Sequence, residues 1–250
     1  MQNPTTPRDR LFSHKKLVAN SELWLNDEQA KYVTRVLRLK VDHKVVMFDG
    51  KGGEYVASII RFVKNRVLLH VGDRHTRKTE SPLAIRLIQG ISRNRRMDIV
   101  IQKSTELGVR RITPVITEFS IVKLDAERAA KRHEHWLKIS QSACEQCGRI
   151  MPPEIDMPQK LDGWLTDFSS ADVTRIMLDP DSSKSIAMLP APNINIELLI
   201  GPEGGFSEAE YVQCKEANFK AIALGPRILR TETAALASIS ILQAFWGDLS

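Results

Sequence analysis

Two short apolar runs near the C-terminus, each broken by a glycine loop and each followed by a helix signal, constrain this chain more than any other feature. The first run, Ile196-Glu197-Leu198-Leu199-Ile200, has strand length and breaks at Gly201-Pro202-Glu203-Gly204-Gly205-Phe206. Ser207 follows, with Glu210 three residues on, a spacing that predicts a capping box and a helix start. The second run, Ala221-Ile222-Ala223-Leu224, breaks at Gly225-Pro226. Arg227 to Thr233 then leads into the almost wholly apolar Ala234 to Phe245, with Thr231 as the expected N-cap. Buried strands that end in loops and feed helices build an α/β sheet, and such sheets bind ligands outside the carboxyl ends of their strands. Two such loops side by side predict a small-molecule cleft with exposed backbone donors and acceptors.

The α/β pattern starts at Ala84. Ile85–Gln89, Ile112–Thr117 and Arg175–Leu178 read as strands, while Met97–Leu107 and Asp125–Gly148 read as helices. Before it, residues 10–73 read as a small β-rich unit. Leu17–Leu25 alternates like a strand, Asn26 caps a short helix over Asp27–Leu37, and Val45–Phe48 and Glu54–Val63 flank a glycine-rich hairpin signal. Closely spaced short strands of this kind suggest a small barrel. Residues 74–82 are polar, and the proline at their end marks a linker.

The 250 residues, 42% of them hydrophobic, suffice for one large or two modest cores. No run approaches the roughly 18 apolar residues of a membrane span, and the N-terminus has no signal-peptide pattern. Three cysteines argue against a disulfide framework, so the expected setting is the cytoplasm. A formal charge of +6 points to an acidic partner such as nucleic acid, provided the cations cluster. They do so around Arg8, Arg10 and Arg38, and again at Arg93, Arg95 and Arg96 beside the first α/β strand.

The glycine loop is neither a P-loop nor a dinucleotide fingerprint. No Lys-Ser/Thr pair follows it, the G-x-G-x-x-G spacing is absent, and Glu203 would repel a phosphate. Gly204 and Gly205 allow positive φ and close approach of a ligand to the backbone. Cys144-Glu145-Gln146-Cys147 has metal or redox spacing. Only Cys214 remains to complete a zinc set, and the pair sits near a helix C-terminus, so semi-buried thiols and no metal are expected.

Taken together, Leu199–Ser207 and Leu224–Ala234 resemble the RsmE-type ribosomal RNA methyltransferases of the SPOUT superfamily. Val36-Leu37-Arg38, Gly52–Tyr55, Lys103–Gly108 and Glu145–Arg149 extend the resemblance over nearly the whole chain. It implies a PUA-like RNA-binding β-barrel over residues 1–73, a linker over 74–82, and a SPOUT α/β domain with a trefoil knot over 83–250. It further implies S-adenosylmethionine as methyl donor, N3 of a uridine in 16S small-subunit ribosomal RNA as acceptor (in the 30S particle), and a homodimer. The expected cofactor contacts are backbone groups of Leu199, Gly201, Leu224 and Leu229, and apolar walls from Leu178, Ile200 and Ile228. Gly204, Gly205, Gly225, Arg230 and Thr233 complete the set. Uracil N3–H is a weak acid, so a group must take its proton or stabilise the anion. Arg230 and Glu232 are the motif residues suited to those roles; each could instead be structural, as an ion-pair partner or as an acid at a helix N-terminus. Two alternatives stay open: a non-catalytic RNA-binding ribosome assembly factor, and an enzyme with a different anionic cofactor at the glycine loop.

Overall fold

The computed structural model describes residues 9–93, 95–120, 125–166, 172–192 and 194–249. Arg8 lies outside them. The chain divides into two compact units: residues 1–80 with 144–152, and residues 81–143 with 153–250.

The first unit is a five-stranded sheet in the order β1-β3-β4-β5-β2. Its strands are β1 (Arg10–Phe12), β2 (Ser21–Trp24), β3 (Lys44–Phe48), β4 (Glu54–Val63) and β5 (Arg66–His75). β1 pairs parallel with β3 and the other pairs are antiparallel. Only Ser21–Trp24 of the alternating stretch Leu17–Leu25 is strand. α1 (Asp27–Lys31) is capped by the Asn26 side chain, as its sequence predicts, and continues as a π-helical turn over Tyr32–Val36. The core is Val45, Met47, Ala57, Ile59, Val67, Leu69 and Val71, alternate residues of neighbouring strands, packed under Ala30 and Val33. β5 runs through His75, so regular structure extends past residue 73. Residues 144–152 belong to this unit because Glu145 Oε1 accepts the Phe12 N–H at 2.9 Å and Arg149 pairs with Glu80 at 2.6 Å.

The second unit is a parallel sheet in the order β12-β10-β11-β6-β7-β8, with β9 also pairing β7. Its strands are β6 (Ala84–Gly90), β7 (Arg111–Ile116), β8 (Glu154–Ile155), β9 (Gln159–Lys160), β10 (Thr174–Leu178), β11 (Asn195–Ile200) and β12 (Lys220–Ile222). The helices are α2 (Arg95–Glu106), α3 (Ala126–Cys147, whose last turn is counted with the first unit), α4 (Leu161–Leu165), α5 (Glu208–Glu216) and α6 (Thr231–Trp246). Parallel strands are covered on both faces, which explains the near-continuous apolar runs. Leu87, Leu198 and Ile200 point to one face, against Met97 and Val100 of α2 and Ile239 and Leu242 of α6. Ile88 and Leu199 point to the other, with Trp164 of α4 and Cys214 of α5. Among the described residues no helix is long and apolar enough to cross a membrane.

Candidate cofactor cleft

The carboxyl ends of β10 and β11, the starts of α5 and α6, and the loop before α6 enclose a cleft of about 800 Å³. That volume falls within the roughly 300–1,000 Å³ of small-molecule sites. β11 lies between β6 and β10, so the loop after β11 leaves the middle of the sheet, and the loop after β12 reaches it from the edge. Gly90 makes the crossing possible: a Cβ there would lie 2.4 Å from Pro202 N. No local signal marks Gly90 in the sequence, because its requirement is tertiary.

Of the expected cofactor residues, Leu178, Ile200, Gly201, Gly205, Ile228, Leu229 and Arg230 line the cleft. Leu224 and Gly225 line a smaller adjoining pocket that shares Leu178 and Leu229. Leu199, Gly204 and Thr233 line neither. Leu199 is held inside the sheet, paired with Ile88 and Met177, and its side chain is in the core of the opposite face. Gly205 has φ +71, whereas Gly204 has an ordinary φ. Gly204 is needed for another reason, since a Cβ would come within 2.8 Å of Phe119 Cβ. Thr233 is exposed on the first turn of α6.

The capping box at Ser207 forms as its spacing predicts, with Glu210 N donating to Ser207 Oγ and Ser207 N to Glu210 Oε2. Glu210 also accepts the Glu118 N–H at 2.8 Å, tying α5 to the loop after β7. Thr231 is not the N-cap of α6. Arg230 takes that position with no side-chain cap, and the Thr231 hydroxyl instead donates to Gly201 O at 2.6 Å. A fixed tertiary acceptor has displaced the local one.

Charge in the cleft is mixed. Arg96 binds Glu203 at 2.7 Å and stands 3.9 Å from Glu232. Burial pushes the Glu203 carboxyl up, but the N–H groups of Glu203 and Arg93 and the Arg96 guanidinium together hold it below the usual range. Asp179 accepts the Tyr211 hydroxyl at 2.7 Å, a bond that raises the phenol's pKa. Arg230 is exposed, lines the cleft and forms no ion pair among the described residues, so the ion-pair alternative for it has no support. Glu232 lies just outside the lining; its Oε2 is buried and has no hydrogen-bond partner among the described residues. Asp179, Asp181, Glu203 and Glu208 outnumber Arg96 and Arg230, a balance that disfavours a polyphosphate and suits a ligand carrying a sulfonium and an ammonium. The residues present therefore fit S-adenosylmethionine.

Of the basic residues, Arg38, Arg93 and Arg95 are exposed and Arg96 is partly so. Arg10 is not free for a partner: its side chain is 7% exposed, bonded to Glu54 at 2.7 Å and set over the Phe48 ring. Of the Cys-x-x-Cys pair, Cys144 is buried and Cys147 exposed, and burial pushes the Cys214 thiol up to about 12.

Comparison with known proteins agrees with this geometry. A family model described as an RNA methyltransferase domain matches residues 79–243, and one described as an RNA methyltransferase PUA domain matches residues 25–71. The ribosomal RNA small subunit methyltransferase E of Buchnera aphidicola is 36% identical over 96% of this chain and 94% of its own length. A putative methyltransferase from Legionella pneumophila, solved with bound S-adenosylmethionine, superposes with TM-score 0.91 at 40% identity, covering 96% of this chain and 98% of that one. The Neisseria gonorrhoeae ribosomal RNA small subunit methyltransferase E, also bound to S-adenosylmethionine, superposes with TM-score 0.90 at 38% identity, covering 97% and 99%. With cleft, both domain matches and near full-length similarity in agreement, this chain belongs to the ribosomal RNA small subunit methyltransferase E family.

Proposed function

We propose that this protein methylates N3 of a uridine in small-subunit ribosomal RNA, with S-adenosylmethionine as donor. The observation that carries the reading is the convergence of both glycine loops on one cleft whose size and charge suit that ligand. Adenosylmethionine supplies an activated methyl group on its sulfonium. Leu178, Ile200 and Ile228 provide apolar walls, backbone groups of Gly201 and Leu229 provide polar contacts, and Leu224 and Gly225 extend the surface through the adjoining pocket. In-line transfer needs positioning more than chemistry from the protein. Arg230 can hydrogen-bond a uracil carbonyl and stabilise the charge that develops as N3 loses its proton. Glu232, with one unpartnered carboxylate oxygen, is the candidate proton acceptor. The exposure of Arg38, Arg93 and Arg95 supports contacts to RNA phosphates, while Arg96 is engaged by Glu203.

Three finer features belong to the same proposal. Residues 182–184 bond across residues 221–223, with Ser182 Oγ to Ala221 O at 2.9 Å and Ala223 N to Lys184 O at 2.8 Å; this supports threading of the C-terminal segment as a trefoil knot. The first unit's sheet is taken to close as a PUA-like barrel. Exposed Phe245 and Ile228 favour a homodimer, which light scattering at micromolar concentration tests through a mass twice that of the chain. The reading itself is tested with 30S particles from cells lacking the enzyme, purified protein and labelled adenosylmethionine, followed by mass mapping of nucleosides. Label in 3-methyluridine at one position is expected. Label in another nucleoside overturns the N3 assignment. Binding without transfer favours the assembly-factor alternative.

A further inference from the structure

We infer that Gln89 is a positioning residue for methyl transfer, holding the two cleft loops in register through the Thr231 hydroxyl; this rests on the functional reading above. Gln89 is the next-to-last residue of β6 and is fully buried. It does not line the cleft. Its Nε2 donates to Thr231 Oγ1 at 2.9 Å and to Gly90 O at 3.1 Å, which uses both amide hydrogens. The Thr231 hydroxyl has one hydrogen and gives it to Gly201 O at 2.6 Å. The chain of bonds therefore has a fixed direction, from Gln89 through Thr231 to Gly201.

Two of the three residues in that chain, Thr231 and Gly201, are wall residues of the cleft. Gly201 opens the first glycine loop, and Thr231 follows Arg230 at the entry of α6. A residue at the carboxyl end of an interior strand thus sets the spacing between the loop that meets the cofactor and the guanidinium that meets the base. Gly90 packs the same junction from the backbone side, directly against Pro202.

Stability alone gives no reason for an amide here. β6 is otherwise apolar at its buried positions, and Gln89 Oε1 is buried with no partner among the described residues. A buried acceptor left unbonded is destabilising, whereas an apolar side chain of similar volume would carry no such penalty. What Gln89 contributes, and methionine could not, is the donor that orients the Thr231 hydroxyl. A misplacement of about 1 Å away from the reacting atoms is enough to slow a positioned transfer about a hundredfold.

The test uses full-length protein with Gln89→Met, Thr231→Val and Thr231→Ser. Four quantities are read: melting temperature, calorimetric adenosylmethionine affinity, amide exchange over residues 200–206 and 229–234 without ligand, and single-turnover methylation with both substrates saturating. Gln89→Met is expected to melt within a few degrees of the parent and to keep adenosylmethionine affinity within about threefold. It should exchange faster in both segments and lose at least tenfold in rate. Thr231→Val should reproduce that loss, and Thr231→Ser, which keeps the hydroxyl, should recover most of it. The double variant Gln89→Met with Thr231→Val should lose no more than either single change, because both break one chain. An unchanged rate, a loss that follows melting temperature or affinity, or additive losses overturns the inference. A parent that transfers no methyl group overturns the functional reading and this inference with it; a parent and a Gln89→Met that transfer equally fast overturn the inference alone.

Discussion

At the scale of single residues, Arg230 and Gly205 separate chemistry from scaffold. Arg230 is exposed in the cleft with no ion-pair partner among the described residues, so its charge is available to a substrate. Loss of one preorganised donor at a developing anion costs about 3 kcal/mol, or about a hundredfold in rate. Arg230→Ala is therefore expected to slow single-turnover methylation by about that factor with adenosylmethionine affinity nearly unchanged. Arg230→Lys should rescue only part, because the ammonium keeps the charge and lacks the fork. A parent-like rate in Arg230→Ala would remove the residue from the mechanism. Gly205 has φ +71, which costs a β-branched side chain roughly 1–2 kcal/mol, although nothing stands in the way of a Cβ. Gly205→Val should weaken calorimetric affinity for adenosylmethionine by about tenfold or more, and Gly205→Asn, which tolerates that φ, by less. Gly204→Val should act differently, lowering melting temperature through Phe119 with a smaller change in affinity. Equal affinity losses at the two glycines would contradict the division of roles.

At the scale of elements, α5 is held by its first turn as well as by Cys214 and Tyr211 in the core. Ser207 and Glu210 close the capping box, and the second oxygen of Glu210 holds the Glu118 N–H. Ser207→Ala should therefore cost about 1 kcal/mol, the usual cap value. Glu210→Ala should cost more, about 2–3 kcal/mol, because it leaves two N–H groups without their acceptor. Urea unfolding of both variants measures the order, and a Glu210→Ala loss no larger than that of Ser207→Ala would mean the bond to Glu118 contributes nothing. α6 shows the reverse case. Its N-cap side chain makes no capping bond, and its position comes from Thr231 reaching back to Gly201 and from Ile239 and Leu242 in the core.

At the scale of the whole molecule, a charge ladder crosses four strands of the second unit. Arg175 pairs with Glu197, Glu197 with Arg86, Arg86 with Asp156 and Asp156 with Arg111. Burial pushes the Asp156 carboxyl up, but hydrogen bonds from Arg111 and Thr113 and the charges of Arg111 and Arg86 outweigh it, and the group is held below its usual range. A carboxyl with a depressed folded-state pKa stabilises the fold above its unfolded value of about 4, and that stability is lost as pH falls through the folded value. Melting temperature should therefore fall as pH drops below about 4, and Asp156→Asn should flatten that fall while lowering the melting temperature at pH 7. Parallel curves for the two proteins would show that acid sensitivity comes from elsewhere.

Local physics accounts for what was legible in the sequence. The strands Glu54–Val63 and Asn195–Ile200, the capping box at Ser207 and the glycine breaks at 201 and 225 depend on periodicity and on contacts within a few residues. Those signals located the cleft at the carboxyl ends of two strands. They could not say which residues would line it. Gln89 meets Thr231 across 142 positions of sequence and Thr231 meets Gly201 across 30, pairings that exist only once β11 has entered between β6 and β10. The same insertion takes the Leu199 side chain away from the ligand, draws the Thr231 hydroxyl from its expected capping role, and makes Gly90 indispensable beside Pro202. Arg10 follows the same logic in the first unit, where Glu54, 44 positions away, claims the guanidinium that composition alone offered to a phosphate. Sequence set most of the elements; the order of the strands decided which side chains reach the ligand, because side-chain partners far apart in the chain are chosen by the sheet and not by their neighbours.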